Sequence, residues 1–226
     1  MDNQDMPARK QLRPKHKCEN AKVMRRYIED KIIPRYDSFD AAHRRDHVRY
    51  VINQSLELAR HYDVDAAMVY AIAAYHDTGL AIDRKTHHLE SGRIVREDSK
   101  LRQWFSPEQI EVMAQAVEDH RASSDHEPRS IYGKIVAEAD RQIDVETIIR
   151  RTIQYGLSHY PELDREGQWE RTLEHLLEKY AEGGYLRLWI PEFPNAARLK
   201  ELQELIKDRQ ALRELFEKTY ASLLAE

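Results

Sequence analysis

At 226 residues the chain is long enough for one generous domain with a buried core, and 34% charged residues with only seven glycines favour helices. The net charge of −4 argues against a general binder of nucleic acid or anionic membrane. A single cysteine, Cys18, excludes an intrachain disulfide framework, and there is neither a run near the ~18 apolar residues of a membrane span nor an apolar signal core, so a cytoplasmic protein is expected.

Residues 1–18 are polar, basic and aperiodic and read as a mobile leader, which also holds Cys18. Helical periodicity then dominates. A first helix is predicted over Glu19–Ile33 and is stopped by Pro34; a second spans Ala41–Tyr62. A third spans Val64–Asp77, ended by Gly79, and a fourth runs from His88 to Ser99. Ser106-Pro107-Glu108-Gln109 opens a fifth helix with an N-cap serine and a proline in the first turn, and it runs to His120. A polar loop, Arg121–Arg129, leads to a long sixth helix over Ser130–Tyr155. Gly156–Gly167 reads as a loop and Gln168–Ala181 as a further helix.

Gly183-Gly184 breaks the pattern, and Tyr185–Ile190 reads as a short strand or an extended arm. Pro191 and Pro194 precede a last helix, Ala196–Leu224. Its stripe of Leu199, Leu202, Ile206, Leu212, Phe216, Tyr220 and Leu223 packs on the domain or, as the alternative, forms a homodimer seam. The class is all-α. The expected organisation is a leader (1–18), a helical domain (19–155) and a C-terminal helical extension packed on it (156–226).

Polar residues at inward-facing helix positions carry the functional signal. His120 continues the stripe of Ile110, Met113 and Val117, and His76 follows Met68 and Ile72 at four-residue steps. His47 shares a face with Val51, Ser55 and Leu58, and Asp140 sits beside the core face of Ile131, Ile135 and Ala139. Each residue alone reads as a hydrogen-bonded core group or an ion-pair partner. Convergence from four helices, with the adjacent pair His76-Asp77 closing an apolar run, points to a shared metal.

Three segments carry a resemblance: Ala42-His43-Arg44-Arg45-Asp46-His47, Ala73-Ala74-Tyr75-His76-Asp77-Thr78-Gly79, and Ile135-Val136-Ala137-Glu138-Ala139-Asp140-Arg141. In this order the chain resembles the HD superfamily of metal-dependent phosphohydrolases over roughly residues 40–150. The resemblance implies a helical bundle in which His47, His76, Asp77 and Asp140 hold one metal. It implies His88 and His120 for a second, with Asp77 bridging. His88 is preferred to His87 because its spacing to Gly92 is similar to the family's His-x-x-x-Gly pattern.

A mixed nitrogen and oxygen donor set suits one or two ions of Mn, Fe, Co, Ni or Zn. Asp77, His88 and His120 are the expected catalytic residues. Arg84, Lys85, Arg121 and Arg129, in loops beside the ligands, are the candidate phosphate-binding residues. His43 is open between a donor behind the ligands, a substrate contact and a helix-start residue. Ser123, Ser124, Asp125 and His126 are candidates for orienting substrate or water, and Glu118 and Asp119 for a general acid. Tyr185, Arg187 and Trp189 are placed near the pocket mouth or, as the duller option, against the core.

The expected function is hydrolysis of a phosphate ester or anhydride, with nucleotides among the candidates. The expected partner is a small phosphorylated molecule, with no membrane and no stable nucleic-acid binding. A non-catalytic metal or nucleotide sensor and an iron-dependent oxygenase with a similar ligand set are the alternatives.

Overall fold

The computed structural model of the chain describes residues 14–39, 43–124 and 126–225. Most of the expected leader, the start of the second predicted helix and the candidate Asp125 lie outside them. All regular structure among the described residues is helical: α1 (Pro14–Lys31), α2 (Arg45–Ala59), α3 (Ala66–Tyr75), α4 (His87–Glu97), α5 (Pro107–Glu118), α6 (Ile131–Asp140), α7 (Val145–His159), α8 (Arg165–Tyr180), α9 (Asn195–Lys207) and α10 (Arg209–Leu224). None is long and apolar enough to cross a membrane.

Local signals explain most boundaries. The Asp65 carboxylate accepts the Ala67 N–H to start α3, and Ser106 with Gln109 forms a reciprocal capping box on α5. Helix α3 is apolar all round, and every residue from Met68 to Tyr75 is buried, as befits a helix surrounded by others. Around it pack α1, α2, α5 and α6. The side chains of Val51, Ser55 and Leu58 on α2, and of Ile110, Met113 and Val117 on α5, are buried as their spacing predicts.

Three sequence expectations change. The long sixth helix is two helices, broken at Arg141–Asp144, because the Asp144 carboxylate caps a new start by accepting the Thr147 N–H at 2.8 Å. The last helix is likewise divided at Asp208, which caps α10 through Ala211. The predicted loop over 156–167 is shorter, since α7 continues through Gly156 to His159 and α8 begins at Arg165. Of the two readings of Tyr185–Ile190, the structure shows the extended arm, without strand pairing.

The core has two parts. One runs from Met24 to Ala139 with Ile190 added, and the second from Ile143 to Tyr220. Helix α7, assigned by sequence to the metal-binding domain, therefore packs with the C-terminal helices α8, α9 and α10. The terminal stripe of Leu202, Ile206, Leu212, Phe216 and Tyr220 is buried in this second cluster.

The buried Glu138 carboxylate joins the two parts. It accepts the backbone N–H groups of Trp189 and Ile190 at 2.8 and 3.3 Å, and the Asn195 amide at 3.0 Å. The arm is thus fastened to α6 two residues before Asp140, with Ile190 in the first core, Tyr185 and Trp189 half-buried and Arg187 exposed.

Candidate metal centre

His76 and Asp77 leave the end of α3 at the centre of the bundle, 0% and 3% exposed. The Tyr36 hydroxyl fixes this corner. It donates to the Ala74 carbonyl at 3.0 Å and accepts the Asp77 N–H at 3.2 Å. Just beyond, Gly79 allows a close approach, because a Cβ there would fall 2.1 Å from the His87 carbonyl oxygen. Ser91 seals the contact by accepting the Gly79 N–H at 2.7 Å. The start of α4 is thereby pressed against the His-Asp corner.

Two triads result, sharing one carboxylate. On one side, Nε2 of His47 and of His76 lie 3.5 and 3.2 Å from Asp77 Oδ2 and 3.2 Å from each other. Asp140 Oδ1 completes this group at 3.2 Å from His47 and 3.7 Å from His76. On the other side, Nε2 of His87 and of His120 lie 3.5 and 3.4 Å from Asp77 Oδ1 and 3.2 Å from each other.

The donor chemistry fits divalent metal ions. Ligands about 2.1 Å from one ion, at tetrahedral or octahedral angles, stand roughly 3.0–3.4 Å apart, close to the separations within each group. Three imidazoles are oriented from behind: Nδ1 of His76, His87 and His120 lies 2.8, 2.9 and 2.5 Å from the carbonyl oxygens of Ala73, Arg84 and Val117. A proton shared with those carbonyls leaves the Nε2 lone pairs facing inward. Without an ion, four imidazoles converging in a buried space have only two carboxylates among them.

The electrostatics agree. Burial works against a charge on Asp77, yet His76, His120 and His47 hold its carboxyl well below the ordinary range. Burial opposes charge on Asp140 as well, and His47 with His76 draws its carboxyl far down. His47 suffers the same burial penalty but is raised to about 9 by Asp140 and Asp77. His87 is pushed down to about 4, first by burial and then by His120.

Of the six sequence-predicted ligands, His47, His76, Asp77, His120 and Asp140 come together and His88 does not. His87 takes that place. The adjacent ring of His88 is 5.6 Å away from that of His87, and its Nδ1 is buried without a hydrogen-bond partner. The spacing to Gly92 misleads because that glycine serves another contact: a Cβ there would sit 2.6 Å from Glu118. Tyr36 also went unforeseen.

The candidate acids and cations are redistributed too. Glu118 is held between Arg96 and Arg129, and buried Asp119 accepts Nε and the backbone N–H of Arg129 at 2.9 and 2.7 Å. Neither carboxylate is offered to a substrate, and Arg129 is committed to this network. Arg121 donates to the Lys85 carbonyl at 2.6 Å, tying its loop to the exposed turn of Arg84 and Lys85 on the His87 side. On the opposite side, a cavity of about 500 Å³ reaches His47 and Asp140, with His43 at its wall.

A helical bundle with this paired His/Asp arrangement falls in a recognisable class. Residues 44–142 match the family model of the HD domain, a segment that ends where the second core begins. No curated protein and no solved structure gives a significant match.

Proposed function

We propose that this chain is a metal-dependent phosphohydrolase that cleaves a phosphate ester or anhydride of a small molecule, nucleotides included. The observation that carries the reading is the division of Asp77, whose two oxygens each face a separate pair of imidazole nitrogens. A manganese, iron, cobalt, nickel or zinc ion held by such donors supplies Lewis acidity and lowers the pKa of a coordinated water to near neutrality.

The rest falls to the chain's own residues. Tyr36 fixes the backbone at Asp77, and three carbonyls hold the imidazoles with Nε2 inward. Burial of His76, Asp77 and His120 keeps bulk water from their side of the centre. The cavity against His47 and Asp140 is the concave surface through which a substrate phosphate would reach the ligands.

Protein loaded with manganese is expected to release phosphate or a nucleoside from at least one member of a panel of phosphomonoesters, diesters and anhydrides. Dialysis against a chelator should abolish that release, and added metal should restore it. No turnover across the panel, with a ligand-induced shift in melting, would support a sensor instead; iron-dependent oxygen uptake would support an oxygenase.

A further inference from the structure

The cavity beside Asp140 is electrostatically one-sided. Asp140 is its single lining carboxylate, whereas Arg141, Arg151, Arg171 and Lys179 all line it. Arg171, His175 and Lys179 follow at four-residue intervals along one face of α8, and Arg151 with Tyr155 does the same on α7. Arg171 and Lys179, two turns apart on α8, and Arg151 on α7 bring three cations to one cavity, an accumulation of like charge that is unfavourable unless something anionic lies against it.

Among the described residues these cations, Arg151, Arg171 and Lys179, have no ion-pair partner. Arg171 donates to the Thr152 carbonyl and lies 5.8 Å from the ring centroids of Tyr155 and Tyr160, while its Nε is buried without a partner. Gly156 makes room for this placement, since a Cβ there would fall 2.7 Å from that Nε. Lys179 packs 5.0 Å from the Tyr180 ring centroid. Burial opposes its charge, but the Tyr180 and Tyr185 phenols and the Asp140 carboxylate more than offset this. His175 is driven down to about 4 by burial and by Lys179 and Arg171, so it adds no charge at neutral pH.

We propose that Arg151, Arg171 and Lys179 form a subsite for a second anionic group of the substrate, a phosphoryl group beyond the one presented to His47 and Asp140. The substrate class is then an organic bisphosphate or polyphosphate rather than a simple monoester. This rests on the hydrolase reading for the placement of the first phosphate. The subsite itself lies in α7 and α8, outside the HD segment, so it belongs to this chain's C-terminal helices. Guanidinium and ammonium donors suit the role, Arg through paired N–H groups and Lys as a point charge.

Two uncleavable probes test it: propylphosphonate, with one anionic group, and 1,3-propanediphosphonate, with two. Isothermal titration of the manganese-loaded full chain should show the diphosphonate binding about tenfold more tightly, the gain expected of one added charge-assisted contact. Lys179→Met and, separately, Arg151→Gln should bring the two affinities within about twofold. Arg151 is exposed, so its substitution remains informative if Lys179→Met fails to fold. Equal affinities in the wild type, or a preference unchanged in both variants, would overturn the subsite. Titration needs no turnover: a chain that hydrolyses nothing yet prefers the diphosphonate sinks the hydrolase reading alone, and a hydrolase with equal affinities sinks the subsite alone.

Discussion

Replacing Asp77 with alanine is expected to remove both metal equivalents and to lower phosphohydrolase activity by a factor on the order of 10³ or more. The size follows from the position of the carboxylate. Its Oδ2 belongs to the His47–His76 group and its Oδ1 to the His87–His120 group, so a single truncation takes an anionic ligand from each. What remains are two imidazole pairs, one helped by Asp140 and the other with no carboxylate. Neutral nitrogen donors alone hold a dication in a buried site poorly, because its charge is left uncompensated.

A binding readout accompanies the kinetic one. A ligand at about a thousand times its Kd stabilises the folded state by about 4 kcal/mol, so saturating manganese should raise the melting temperature of the wild type and leave Asp77→Ala nearly unmoved. Metal analysis of the purified variant makes the check direct, and retention of two ions would contradict the arrangement. Asp77→Asn keeps the side-chain shape and serves as the comparison if the alanine variant unfolds.

The second large effect separates two neighbours. His87→Ala should lose one of two metal equivalents and roughly a hundredfold in activity, whereas His88→Ala should keep both ions and lose little. His87 Nε2 lies 3.2 Å from that of His120 and 3.5 Å from Asp77 Oδ1, with Nδ1 2.9 Å from the Arg84 carbonyl. His88 belongs to neither of the two groups that could hold a metal. Metal content measured on both variants beside the wild type decides the matter. Loss of metal in His88→Ala with retention in His87→Ala would reverse the assignment.

This pair of histidines also shows where sequence reasoning runs out. Adjacent residues at a helix start differ by about 100° in direction, and which one points inward depends on the phase at which the helix begins. That phase is set by Gly79 meeting the His87 carbonyl, a contact between separate segments that spacing within α4 does not encode. The other candidate ligands were legible for the opposite reason. His76, His120 and His47 each extend an apolar stripe whose direction is fixed by several neighbours, and a stripe is a periodic signal.

Where an apolar stripe continues across a break, periodicity hides the break. Helices α6 and α7, and again α9 and α10, read as single runs because hydrophobic spacing carries on while one aspartate redirects the backbone. Asp144 and Asp208 are the signals that could have been used, as each caps the following helix through the N–H three residues on. The basic wall was legible in principle as well. Arg171, His175 and Lys179 recur every fourth residue, but the Gln168–Ala181 helix gave no reason to aim that face at the metal centre until α7 was seen to leave α6 at Asp140.

The account turns on two ions flanking one carboxylate, and anomalous diffraction from crystals of manganese-loaded protein tests that most directly. Two peaks are predicted, one among His47, His76 and Asp140, the other between His87 and His120, with Asp77 between them. No peak at either group, or a peak at His88 in place of His87, would contradict it.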